Sequence, residues 1–330
     1  MPVTAPMQRP RSVGEMMQRV AFMITPEGMG RALAFQPRPD DVFIAPFPKS
    51  GTTWLQQIVH TLRTRGDMAF EEITQVIPWL ELAHDMGIDV EAGQPARPRA
   101  FKTHLGWDQV PKGARYIVSV RDPRDVLVSQ FHFWNGWFYE AGTVSIDDLA
   151  MGLFLNPNVP FNYWPHLQSW WPQRERPDVL MLCYESMLAD PEAAIRRIAA
   201  FIGVPLDDAL LRLTLEHASV DFMRAHARQF DDHLVREARD HVCGLPPSET
   251  GGHKVRSGKA GGHEAVLSDA VRAALDEAWQ REIAGPLGLP DYAALRRVLE
   301  GAGENVGALR RVRRRTTRRL RRRGNRRNRP

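Results

Sequence analysis

The chain has 330 residues, 43% of them hydrophobic, enough for one large α/β domain with a sizeable core. Its two cysteines, Cys183 and Cys243, exclude a disulfide framework, and neither stands in a Cys/His cluster of metal-binding spacing, which predicts a reducing, cytoplasmic setting. The net charge of +5 is uneven, because residues 310–330 hold 13 arginines and no acid, leaving 31 basic against 39 acidic residues elsewhere.

Residues 1–38 read as a helical lead-in, with apolar Met16, Met17, Val20 and Phe22, followed by a proline-punctuated link. No apolar run of signal-peptide length follows Arg9 and Arg11. The first strand is predicted over 41–46. The loop Pro46-Phe-Pro-Lys-Ser-Gly-Thr-Thr-Trp54 follows it and runs directly into a helix over about 52–65. Strand, tight loop and helix point backbone N–H groups and a helix N-terminus at one spot, which makes an anion site. Lys49 adds a charge, Gly51 permits close backbone approach, and Thr52 and Thr53 add hydroxyls. The lysine precedes the glycine, so this is not the Gly-x4-Gly-Lys-Ser/Thr loop of nucleoside-triphosphate enzymes.

Residues 66–98 are mixed and punctuated by Gly and Pro, an excursion around a pocket. The second strand, Arg99–Lys102, ends in Lys102-Thr103-His104-Leu105. Ligands of parallel α/β sheets sit beyond the carboxyl ends of the strands, where both motifs fall. A neutral His104 suits a base near pH 7, and Lys49 and Lys102 suit the stabilisation of developing negative charge. The third strand is Arg115–Val120. Arg121 ends it, and Asp122-Pro123 starts a helix to about Phe138, with a carboxylate, Asp125, at N3. Arg121 and Ser129, two turns along, make a second anion site.

A helix over about 161–172, a fourth strand over Val179–Tyr184, and helices from Asp190-Pro191 to Phe201 and from Pro205–Asp207 to His217 complete the alternation. A glycine-rich loop at 251–262 contains Arg256-Ser257-Gly258, and helices follow over about 268–282 and 291–300. The longest uncharged stretch, Leu149 to Gln173, is broken by Pro157, Pro160 and Pro165 and makes a poor membrane span. Strands alternating with helices predict a three-layer α/β/α domain around a central parallel sheet, of P-loop nucleotide-binding type. The expected boundaries are 1–38, 39–302 and an Arg-rich tail, 303–330, whose composition predicts disorder and loose attraction to anionic surfaces.

In order and spacing, PKSGTTW, KTHL, strand–Arg121–helix with Ser129, the strand ending Tyr184-Glu185, and Arg256-Ser257-Gly258-x-x-Gly261 resemble the cytosolic-type sulfotransferases over roughly residues 40–285. That resemblance implies transfer of a sulfuryl group from PAPS (3′-phosphoadenosine 5′-phosphosulfate) to a hydroxyl, with PAP as the desulfated product and no metal. It implies that Lys49, Ser50, Gly51, Thr52 and Thr53 hold the 5′-phosphosulfate and that Trp54 and Tyr184 hold the adenine end. Arg121 and Ser129 would bind the 3′-phosphate, with Arg256, Ser257 and Gly258 closing over it. His104 would be the base, aided by Lys49 and Lys102.

The chain departs from the family pattern at several places. It has Ser257 where Arg-Lys-Gly is usual, Gly261-Gly262-His263-Glu264 in place of Gly-Asp-Trp-Lys, and Ala218-Ser219-Val220 where an aromatic sandwiches adenine. The dimer segment of the animal enzymes is missing at Glu264–Ala273, which leaves the oligomeric state open. Candidate walls for a small or lipophilic alcohol or phenol acceptor are Phe47, Trp79, Leu80, Trp107, Phe133, Trp137, Phe138, Phe161 and Trp164, at least half of them expected to be core only. The alternatives are a P-loop kinase or NTPase, with Ser50 and Asp122 imitating its Mg²⁺ ligands, and a non-catalytic PAP-binding or anion-scaffold protein.

Overall fold

The structure, a computed structural model, describes residues 7–159, 161–247, 254, 258 and 260–301. Arg256, Ser257 and the Arg-rich tail of 303–330 lie outside the described residues. Four strands form one sheet: β1 (Val42–Ile44), β2 (Ala100–Lys102), β3 (Arg115–Val120) and β4 (Val179–Cys183). Their order is β2-β1-β3-β4 and every pairing is parallel. Each strand is nearly all apolar and buried, as a sheet covered on both faces requires.

Alternation along the strands divides the core in two. Val42, Ile44, Ala100, Ile117 and Leu182 pack with Leu55, Ile58, Val59 and Leu62 of the helix Thr52–Thr64 and with helices Pro191–Ile202 and Asp208–His217. Phe43, Phe101, Tyr116, Val118, Val120 and Met181 pack on the opposite face with Val126 and Leu127 of the helix Pro123–Trp137, and with Trp170, Val271 and Trp279. The helix after β1 thus covers one face and the helix after β3 the other. The chain parts between these neighbouring strands, and the crevice beyond their carboxyl ends is the topological switch point.

The predicted local signals match what is built. Asp122 caps its helix by accepting from Arg124 N, Asp190 accepts from Ala193 N, and Asp207 accepts from Leu210 N. β3 has its predicted bounds, whereas β1, β2 and β4 are shorter than predicted, and Tyr184 begins a helix, Tyr184–Ala189, rather than ending β4. The stretch expected as one helix over 161–172 is α-helical at Tyr163–Trp170 and tightens to 3₁₀ at Trp171–Gln173, where Pro172 lacks the N–H that would continue it.

The N-terminal segment is built into the body. Helices Val13–Val20 and Pro26–Ala34 bury Met16 fully, and their connection is pinned from outside. Arg239 donates to the carbonyls of Phe22 and Met23, and Thr25 bonds Asp85 through both its N and Oγ1. A helical pattern reveals the helices but not these partners, which lie 60 residues or more away in the chain.

Candidate active site

The loop after β1 forms from two reversals of the backbone. Lys49 has φ 68° and Gly51 φ 99°, both left-handed, so the backbone reverses twice before the helix Thr52–Thr64, and Ser50 N donates back to the Phe47 carbonyl at 3.1 Å. Gly51 is required twice over. Its φ excludes most side chains, and a Cβ there would lie 2.9 Å from Tyr184 Cδ2. The Tyr184 ring supports the loop, packs edge-on to Trp54 at 5.7 Å, and carries the Arg121 guanidinium 4.4 Å from its centroid. Arg121 also donates to the carbonyl of Lys49 at 3.1 Å, and Ser119 Oγ donates to the carbonyl of Ser50. The two predicted anion elements, after β1 and after β3, are therefore one site. Arg121 bonds this loop rather than pairing with Asp122 or Asp125.

After β2, His104 Nδ1 donates to the Pro46 carbonyl at 2.8 Å, which leaves Nε2 with the lone pair. The His104 backbone N–H donates to the Glu81 carboxylate at 2.7 Å. Lys102 Nζ lies 3.6 Å from the centre of one Trp79 ring, and the His104 ring meets Trp79 edge-on at 5.2 Å. Lys102 and His104 thus project to the same side, as their two-residue spacing predicts. Lys49 reaches into the cavity from above, with Nζ 4.1 Å from the centre of the Phe133 ring.

These residues share a cavity of ≈ 1140 Å³. Burial dominates its electrostatics. Lys49 is pushed down to about 7 by burial and by Lys254, and Lys102 to about 8 by burial, with Asp232 opposing. His104 is held well below the usual imidazole range by burial and by Lys102, so it is neutral at pH 7. Burial raises the Glu81 carboxyl.

Thr52, Thr53, Trp54, Ser129, Tyr184 and Gly258 also line the cavity. Phe47, Trp79, Phe133, Trp137, Phe138 and Phe161 reach it, whereas Leu80, Trp107 and Trp164 pack only in or against the core. Fewer than half of the candidate acceptor residues are therefore core alone, against the expectation. Several contributors were not among the site residues expected from the sequence. Glu81 orients His104, and the buried His166 faces the same cavity, with burial holding its imidazole down to about 3. Asp232 and Lys254 form a buried ion pair, and burial is outweighed at Asp232 by Lys254 and Lys102, which hold its carboxyl low. Met17, Met23 and Met29 of the N-terminal segment add an apolar wall.

The residues present fit a phosphosulfate. Ser50 Oγ, Thr52 Oγ1 and Arg121 Nε are buried and have no hydrogen-bond partner among the described residues, so the site holds donors and a cation that an anion would satisfy. Among the described residues, the one group of three ligand-type side chains close enough to share an ion is Glu72, Asp231 and His233. These are already bonded, His233 Nδ1 to Asp231 and Leu234 N to Glu72.

The family model for the sulfotransferase domain matches residues 39–286. The chain belongs to that family. Sulfotransferase 1B1 of Canis lupus familiaris is 30% identical over 264 residues, covering 76% of this chain and 86% of its own. Sulfotransferase 1B1 of Mus musculus is 33% identical over 222 residues, covering 63% and 73%. A mouse sulfotransferase solved with PAP superposes with a TM-score of 0.62 at 24% identity, covering 79% of this chain and 91% of that one. Retinol dehydratase, solved with androsterone and PAP, gives 0.62 at 22%, covering 82% and 94%. The sulfotransferase accordingly transfers a sulfuryl group from PAPS to an acceptor, and the kinase and non-catalytic alternatives fall. No helix among the described residues is long and apolar enough to cross a membrane.

Proposed function

We propose that the sulfotransferase acts on the hydroxyl of a small lipophilic alcohol or phenol, with His104 as general base and without a metal. PAPS, when bound, supplies an electrophilic sulfur and a phosphate leaving group. The single observation that carries the base assignment is the state of His104. Its Nδ1–H is fixed on Pro46, its Nε2 is unprotonated, and it lines the same cavity as Lys49 and Lys102. A neutral imidazole held in one tautomer accepts a hydroxyl proton at Nε2. Lys49 and Lys102, seated on aromatic faces in a desolvated cavity, stabilise negative charge that develops beside them.

Ser50, Gly51, Thr52 and Thr53 would hold the 5′ end of the donor, and Trp54 and Tyr184 its adenine end. Arg121 and Ser129, together with Arg256, Ser257 and Gly258, would hold the 3′-phosphate. The apolar wall of Phe47, Phe133, Trp137 and the N-terminal methionines supports a lipophilic acceptor. The androsterone named beside PAP for one structural neighbour is of that kind.

Turnover of a panel of alcohols and phenols, read by the mass gained on sulfation, tests the assignment. His104→Ala loses about 10²–10⁴-fold in kcat and keeps its PAP affinity. Ser129→Ala weakens PAP binding more than the chemical step. Near-normal kcat for His104→Ala with an unactivated alcohol places the base elsewhere, and loss of turnover on chelator treatment contradicts the metal-free reading.

A further inference from the structure

The turn that ends β3 is held by side chains from three other elements. Val120, Arg121 and Asp122 are consecutive, and each has a backbone polar group within hydrogen-bond distance of a residue far along the chain. Tyr163 Oη donates to the Arg121 carbonyl at 2.8 Å. Asp122 N donates to Glu185 Oε1 at 3.1 Å. Tyr292 donates to Glu185 Oε2 and stands 3.3 Å from the Val120 carbonyl. Cys183 Sγ, at the end of β4, reaches the same carboxylate oxygen at 3.1 Å. Tyr163 and Tyr292 are both buried. Burial, and then the nearby carboxylates, hold both hydroxyls well above the usual phenol range, so they remain protonated donors.

Tyr292 lies beyond residues 39–286, the stretch that the family model matches. It opens a helix that begins at 292, capped by Asp291, which accepts from Ala294 N at 2.6 Å. Tyr292, Leu295 and Leu299 stand three and four residues apart, so they share one face, and all three are buried in the core. Ser186 Oγ donates to Glu300 Oε1 at 2.6 Å, which ties this helix to the one that carries Glu185. The side chain of Arg121 is held at its other end. Its Nη1 donates to the Lys49 carbonyl and its guanidinium lies over the Tyr184 ring, while Nε is buried without a partner among the described residues. With its root clamped and its tip seated, Arg121 keeps one unused donor and little freedom to lose on binding, which is how pre-organisation raises affinity. We propose that Tyr163, Glu185 and Tyr292 are positioning residues that clamp the root of Arg121 and thereby raise affinity for the 3′-phosphate of the donor. This rests on the donor-site assignment above.

The test is a double-mutant cycle in PAP affinity, read by calorimetry on the full chain. Tyr292→Phe removes the hydroxyl and keeps the ring that packs edge-on to Trp279 at 6.1 Å. It is expected to weaken PAP about tenfold, the scale of one charge-assisted hydrogen bond. In a chain that already carries Arg121→Ala, the same substitution should change PAP affinity by less than about twofold, because residues that act through one another are not additive. An equal loss in the two backgrounds makes the hydroxyl merely structural and overturns the clamp. Unchanged PAP affinity in Tyr292→Phe overturns it as well. Arg121→Ala that binds PAP as tightly as the wild type refutes the donor-site assignment itself, and the clamp falls with it. If Tyr292→Phe does not fold, Tyr163→Phe gives the same contrast from another helix, because it removes the donor to the Arg121 carbonyl.

Discussion

Binding of PAP should draw protons from solution. Lys49 and Lys102 converge on one desolvated cavity and are pushed down to about 7 and about 8, burial being the largest cause for both. At pH 7.5 those values leave Lys49 about three-quarters neutral and Lys102 about one-quarter neutral. An anion beside them favours the charged form of each, so saturation with PAP takes up about one proton in total. The sign follows from the direction of the shifts. Uptake is small below pH 6, where both lysines are already charged, and grows through pH 7–8. PAP affinity therefore falls as pH rises through that window. Calorimetry in two buffers of different ionisation enthalpy gives the proton number directly. Lys49→Met should reduce the uptake to about a quarter of a proton. The difference between wild type and variant isolates the lysine from ionisation of the ligand's own phosphates. An identical proton number in the two proteins refutes the reasoning, because Lys49 would then be fully charged before PAP arrives.

Three further outcomes follow from the same structure. In the unliganded protein the depressed lysines bind fewer protons than in the unfolded chain between about pH 7 and their ordinary range, so their contribution makes stability rise with pH there. Denaturant unfolding of Lys49→Met, which loses the Lys49 share of that slope and keeps the Lys102 share, checks it. Gly51→Ala combines a left-handed φ with a 2.9 Å approach to Tyr184, so it should cost about 1–3 kcal/mol and weaken PAP binding, whereas Gly14→Ala, in open space on a helix, should do neither. Asp41 and Arg99 are both fully buried and joined by two hydrogen bonds at 2.9 and 2.6 Å, so Asp41→Ala should destabilise by about 3–5 kcal/mol through the orphaned guanidinium, measured by chemical denaturation.

The sequence by itself determined the layers, the loop and most of the residues that line the cavity beside it. Those depend on local chemistry: apolar runs for buried strands, Asp-x-x caps and Pro123 for helix starts, and Lys49 and Gly51 for a reversed loop. The Lys102-x-His104 spacing fixes a shared direction because side chains alternate along a strand. Only the tertiary structure decided what lies opposite. Glu81 is 23 residues from His104, Gly261 is 136 from Asp125, and Thr25 is 60 from Asp85, and no periodicity relates such pairs. The charge states of Lys49, Lys102 and His104 were also beyond the sequence, because desolvation is set by what the fold packs around a group and not by its neighbours in the chain.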